Sequence, residues 1–208
     1  MTPGAADLLL VVDVQVDFLP GGALPVPGGD AVVGPVNALQ GKFRHVALTQ
    51  DWHPADHVSF ADTHPGRAPF ETVELPYGPQ VLWPRHCVQG SAGAAFAPGL
   101  ATDRASLAVR KGMDPRVDSY SAFLEADRTT RTGLAGALAE RGIARVVLCG
   151  LATDFCVAWS ALDARAAGFD VWVVEDAVRG IDAGGSLAQA WLRMEAAGVR
   201  RIGSAAIG

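Results

Sequence analysis

The sequence predicts an α/β fold of three layers, with a mostly parallel six-stranded sheet covered by helices on both faces. Six short apolar runs alternate along the chain with helix-forming stretches, the order that parallel strands and right-handed crossovers require. The first run, LLLVVDVQ, is apolar almost without interruption, as expected of a strand covered on both sides. Asp13, Asp51 and Lys111 close three of the runs and Cys156 follows a fourth, so reactive groups gather at the carboxyl rim, where such sheets bind ligands.

Taken in order, residues 8–15 form the first strand, ending near Asp13. The turn-rich PGGALPVPGGD gives way at Asp30 to a helix over AVVGPVNALQGKF, interrupted near Pro35. RHVALTQD is the second strand. Residues 54–99 are rich in Pro, Gly, His and aromatics with little periodicity, and so long a loop in a compact domain is a candidate wall of a site. ASLAVRKG is the third strand, DSYSAFLEA adds a turn of helix, and TGLAGALAERG is an amphipathic helix stopped by Gly142. VVLCG is the fourth strand, followed by a turn and a helix that ends at Gly168. FDVWVVED, the helix SLAQAWLRMEAAG and the strand VRRIG complete the pattern. There is no internal repeat, linker or low-complexity tract, so residues 1–208 read as one domain.

Composition narrows the function. The chain carries a net charge of -5 with no basic run, which argues against nucleic acid as a partner. No segment could span a membrane. Three cysteines at scattered positions (Cys87, Cys149, Cys156) form neither a disulfide framework nor a CxxC pair, which favours a reducing, cytoplasmic setting. Small molecules are the expected ligands, and a homo-oligomer is compatible with this reading but not required by it. GxGxxG, GxxxxGK[ST], HExxH and GxSxG are absent, which removes the usual dinucleotide, nucleotide, zincin and serine-hydrolase readings.

The stretch VVLCGLATDFCVAW reads as strand, tight turn and helix start. With Thr153 as N-cap, Cys156 lies at the third helical position, where the helix end favours a thiolate. Lowering a cysteine pKa by about two units takes roughly 2.7 kcal/mol, so a nearby cation is expected, and Asp154 must turn away. Asp13 as base and Lys111 as cation complete a nucleophilic set, and backbone N–H groups between Gly150 and Cys156 could hold an oxyanion. Acyl transfer at a carbonyl is the reaction this suggests. Taken alone, each residue has a plainer reading: a core cysteine, a loop-capping carboxylate, a solvated lysine.

Asp51 and His53, two apart in an extended segment, share a face and suit one metal ion, with His86 as a third ligand. Two imidazoles and one carboxylate leave positions open for water or substrate and fit Zn, Fe or Mn. His57 and His64 lie in the same loop, where a surface histidine is the default. Phe18, Trp52 and Trp83 could wall a planar substrate, although a core aromatic is the default for each. Cys149, inside an apolar strand, reads as core.

The ordered blocks VVDVQVDFLPGGAL, TQDWHP, LWPRHCVQGSAGA, RKGMDPRVDSYSAF and GLATDFCV, spread over nearly the whole length, resemble the isochorismatase-like cysteine hydrolases, and among them the nicotinamidases. The resemblance implies a triad of Asp13, Lys111 and Cys156, and metal ligands Asp51, His53 and His86. It implies an oxyanion hole from the N–H groups of Ala152 and Cys156 beyond a cis peptide before Ala152. Phe18 and Trp83 would stack on the substrate. His57 matches a further histidine that some relatives place on the metal, and its role stays open. The implied cofactor is one divalent metal, zinc first, with iron or manganese as alternatives.

The implied reaction is hydrolysis of nicotinamide to nicotinic acid and ammonia, with pyrazinamide also accepted. The pyridine nitrogen would sit on the metal, and Asp13 would pass protons to the ammonia and from the water that clears a Cys156 thioester. Rival readings are a sister amidohydrolase acting on another small amide, a non-catalytic metal or small-ligand binding module, and a non-haem iron oxygenase. Anaerobic release of ammonia from nicotinamide separates them.

Overall fold

The computed structural model describes residues 1–208. Its elements in chain order are β1 (Asp7–Val12), α1 (Val33–Gln40), β2 (His45–Asp51), β3 (Thr72–Leu75), β4 (Gly78–Val81), β5 (Leu107–Lys111), α2 (Leu134–Glu140), β6 (Arg145–Leu151), α3 (Ala158–Ala166), β7 (Asp170–Arg179), α4 (Ser186–Ala196) and β8 (Arg200–Ile202). Six of the strands form one sheet in the order β5-β2-β1-β6-β7-β8, with every neighbouring pair parallel. The expected six-stranded parallel sheet is present.

All six residues of β1 are buried, and alternation along it builds the two halves of the core. Leu8, Leu10 and Val12 face a cluster that holds Leu134 and Leu138 of α2, Ala158, Ala161 and Ala164 of α3, and Ala190 and Met194 of α4. Leu9 and Val11 face the opposite cluster, with Val36 and Leu39 of α1 and the loop residues Trp83, Cys87, Ala94 and Leu100. One face is therefore closed by three helices, and the other by a single helix plus the long loop.

β1 and β6 are neighbours in the sheet, yet the chain leaves β1 toward one edge and β6 toward the other. The crevice beyond their carboxyl ends is the topological switch point of the sheet. Gly150 permits their close approach: its φ is +110°, and a Cβ there would collide with the carbonyl oxygen of Val12.

Several local expectations are corrected. Pro35 does not interrupt α1, because it sits in the first turn, where no backbone donor is needed. Residues 118–126 form no helix; the hydroxyls of Ser121 and Ser160 take the N–H groups of Phe123 (3.1 Å) and Ala122 (2.9 Å). The 54–99 loop contains the antiparallel hairpin β3–β4. No helix is long and apolar enough to cross a membrane.

Candidate active site

Asp13, Asp51, Lys111 and Cys156 each arrive from a different strand end. Asp13 follows β1 with φ +46°, a left-handed turn that swings its carboxylate out of the strand direction. Asp51 ends β2, Lys111 ends β5, and Cys156 lies in the turn after β6. Lys111, fully buried, joins them: Nζ lies 2.9 Å from Asp13 Oδ2, 3.4 Å from Cys156 Sγ, and in direct contact with Asp51. It also donates to the Ser119 carbonyl at 3.0 Å. The sulfur and the carboxylate oxygens of Asp13 and Asp51 lie within 4.8 Å of one another.

One buried cation thus serves two carboxylates and a thiol. Burial works against the charge on Lys111, but Asp13 and Asp51 outweigh it and hold its pKa well above the ordinary lysine value. Burial also raises Asp13, against the pull of Lys111. Asp51 is driven well below the usual carboxylate range, because Lys111 and His53 overcome its burial.

Cys156 differs from the sequence expectation. The turn Thr153–Val157 is π-helical, with Val157 N–H reaching back to the Ala152 carbonyl. The N-cap is Ala152, not Thr153, and no side chain caps the turn. Burial pushes the thiol well above its usual pKa; Lys111 opposes this, while Asp13 and Asp51 add to it. Burial thus favours the thiol over the thiolate, the reverse of the sequence expectation. Asp154 does turn away, accepting N–H bonds from Ile181 (3.0 Å) and Asp182 (2.8 Å). The Leu151–Ala152 peptide is cis.

Asp51, His53 and His86 meet with ligating atoms within 4.8 Å of one another, all buried. His53 Nδ1 faces the Gly112 carbonyl at 3.0 Å, and His86 Nδ1 faces the Pro84 carbonyl at 2.7 Å. Carbonyls only accept, so each Nδ1 donates and each Nε2 is left to face the carboxylate, free to ligate an ion once deprotonated. Those Nε2 atoms lie 3.7 and 3.8 Å from Asp51 Oδ2. Two imidazoles and a carboxylate converging in this way fit a divalent ion. Gly112 belongs to the arrangement, since a Cβ there would strike the His53 ring.

His57 points elsewhere, with Nδ1 on Ser59 Oγ (2.7 Å) and Nε2 on the Val117 carbonyl (3.2 Å). Its ring packs 4.2 Å from that of His53, and with His53 and Asp118 it forms a second group of atoms within 4.8 Å. His64 is tied to the Val58 carbonyl, away from the cluster. Trp52 stacks under Arg110 outside the pocket, which corrects its expected place in the wall.

A pocket lies between the sulfur and the imidazoles, with Cys156, His53 and His86 all in its lining. Phe18 and Trp83 line it as expected, with Tyr120 and Phe155 beside them, and Ala152 and Cys156 form its floor. Trp83 and Phe155 meet edge to face at 4.9 Å.

Residues not expected from the sequence brace the site. Gln15, fully buried, grips the backbone of Asp51 at both ends, donating to its carbonyl (2.9 Å) and accepting its N–H (2.8 Å). Thr49 donates to Asp13 Oδ1 at 2.5 Å. Thr49 and Asp51 share one face of β2, a period-two signal that could have marked the threonine.

An isochorismatase domain model matches residues 7–206. A nicotinamidase of Acinetobacter baylyi is 55% identical over 196 residues, covering 94% of this chain and 92% of the relative. A solved nicotinamidase/pyrazinamidase of Acinetobacter baumanii superposes with a TM-score of 0.97 at 56% identity, covering 98% of both chains. A protein of L. infantum solved in complex with nicotinate gives a TM-score of 0.88 at 42% identity, covering 100% of this chain and 98% of the other. With a match of this extent, the chain belongs to the isochorismatase-domain family.

Proposed function

We propose that the chain is an amidohydrolase that cleaves nicotinamide to nicotinate and ammonia through a Cys156 thioester, with residues 1–208 acting as one domain. The observation that carries this reading is the single buried ammonium of Lys111 in contact with Asp13, Asp51 and Cys156 beside an aromatic-walled pocket. The relatives named above are nicotinamidases or bind nicotinate, which supports the choice of substrate.

The planar ring enters between Phe18 and Trp83, which exclude water from its faces. Asp51, His53 and His86 would hold a divalent ion, zinc by preference for this nitrogen and oxygen set. When bound, the ion supplies a Lewis-acidic anchor for the ring nitrogen. Asp13 Oδ2, which carries no well-formed hydrogen bond of its own, takes the thiol proton as the sulfur attacks the amide carbon. Lys111 steadies the charge throughout. The N–H groups of Ala152 and Cys156 receive the developing oxyanion. Asp13 then passes its proton to the departing nitrogen, giving ammonia and the thioester. Deprotonating a water, it directs hydroxide onto the thioester carbon, which releases nicotinate and restores the thiol.

His57 acts from behind His53, packing its ring in place. Pyrazinamide, with the same planar shape and carboxamide, is also a substrate. The test is ammonia release from nicotinamide by metal-loaded protein under anaerobic conditions. Nicotinate and ammonia in equal amounts are expected; no release, or release that requires oxygen, refutes the proposal.

A further inference from the structure

Among the pocket-lining residues that take no part in bond making is an aliphatic one, Ile181. Ile181, half-buried in the segment between β7 and α4, lines the same pocket as Cys156, His53 and His86, with its side chain packed against the α1-side core. That segment has no sheet partner to fix it. It is held instead by one buried carboxylate, that of Asp154, two residues before Cys156. Asp154 Oδ1 accepts the Ile181 N–H at 3.0 Å, and Oδ2 accepts the Asp182 N–H at 2.8 Å and the Ser186 hydroxyl at 2.5 Å. Gly180 makes room for this: a Cβ there would lie 3.0 Å from Asp154 Oδ1 and 2.9 Å from Leu187 Cδ1. The nucleophile turn and the Ile181 wall are therefore one hydrogen-bonded unit.

We propose that Ile181 is a specificity-determining residue that sets which ring substituents the pocket admits, and that Asp154 is the positioning residue that fixes its distance from Cys156. The inference rests on the amidase reading and adds to it the shape of the accepted substrate. A branched aliphatic side chain on the ring edge excludes a methyl group by contact and contributes nothing to bond making. Its loss alters discrimination between substrates while leaving the chemical step intact. Asp154 has three donors aimed at two oxygens. An asparagine can keep one oxygen, and its amide nitrogen then faces donors, so the segment loosens without a change in side-chain volume.

The test uses full-length, metal-loaded protein and a series of substrates: nicotinamide, pyrazinamide and nicotinamides methylated at each free ring carbon. Ile181→Ala is expected to raise kcat/KM for at least one methylated isomer relative to nicotinamide by about tenfold or more, the size of effect one methyl group has in an apolar pocket. The readout is the ranking of the isomers against nicotinamide within the variant, so a general change in rate does not enter it. Asp154→Asn should relax the same isomer's exclusion and raise KM more than it lowers kcat, with Ser186→Ala giving a smaller shift in the same direction.

An unchanged isomer ranking in Ile181→Ala overturns the proposal. A loss of kcat in Asp154→Asn at constant KM and constant ranking overturns the role of Asp154. Should Asp154→Asn fail to fold, Ser186→Ala decides that role. Calorimetric binding of the matching methylated nicotinates reads the same ranking without turnover. Absence of ammonia from the wild type thus refutes the amidase reading separately from the wall.

Discussion

Lys111 is where the physics of single residues is most exposed. A fully buried ammonium survives because two carboxylates and a carbonyl surround it, and their charges survive because of it. Replacing it by methionine leaves Asp13 and Asp51 buried with no cation. Lys111→Met is expected to lose activity and about 3–5 kcal/mol of stability, read as a shift of the urea midpoint. Cys156→Ala removes a small thiol whose charged form burial disfavours, so its midpoint should stay within about 1 kcal/mol of wild type while turnover vanishes. Residual amidase activity within about tenfold of wild type would remove Cys156 from the nucleophile's role. The contrast between the two variants separates a group that holds the site together from one that only reacts.

At the scale of elements, the nucleophile turn depends on how closely β6 passes β1. Gly150→Ala places a Cβ against the Val12 carbonyl at φ +110°, so β6 must shift before Cys156 can reach Lys111. A loss of about 2 kcal/mol or more is expected, together with slower alkylation of Cys156 by iodoacetamide; wild-type values for both would show that the approach is not tight. The six sheet strands were legible from their apolar runs because packing on two faces demands continuous hydrophobicity. The β3–β4 hairpin was not, since TVEL is four residues long and only half-buried, too short for a period to register. The absent helix at 118–126 failed for a different reason: Ser121 within it and Ser160 of α3 take its backbone N–H groups, which composition alone does not reveal. Among the site residues, the acid, base, thiol and imidazoles could be read because few other roles fit them at strand ends. Gln15 could not. Nothing about an amide in a strand exit announces that it will clasp the backbone of Asp51.

The whole molecule is needed for the site to exist, since Asp13, Asp51, Lys111 and Cys156 come together only when four neighbouring strands are aligned. Stability and site integrity should therefore share one dependence on acid, and His57 makes a distinct contribution to it. Burial, and then the neighbouring His53, lower the His57 pKa from its ordinary 6.5 to about 4. Above pH 6.5 the ring is neutral in both folded and unfolded chains and costs nothing. Between 6.5 and 4 the unfolded chain takes up a proton that the folded one refuses, so stability falls as the pH drops through this window. Below about 4 the folded ring is protonated too, and the slope flattens. The full effect is bounded at about 3 kcal/mol for a shift of this size. His57→Gln carries no such proton, so the gap between its urea midpoint and that of wild type should narrow or reverse from pH 7 to pH 4. The comparison belongs in chelator-treated protein, where loss of a bound ion does not add to the slope. Parallel curves for the two proteins would mean that His57 titrates normally and that its burial carries no electrostatic penalty.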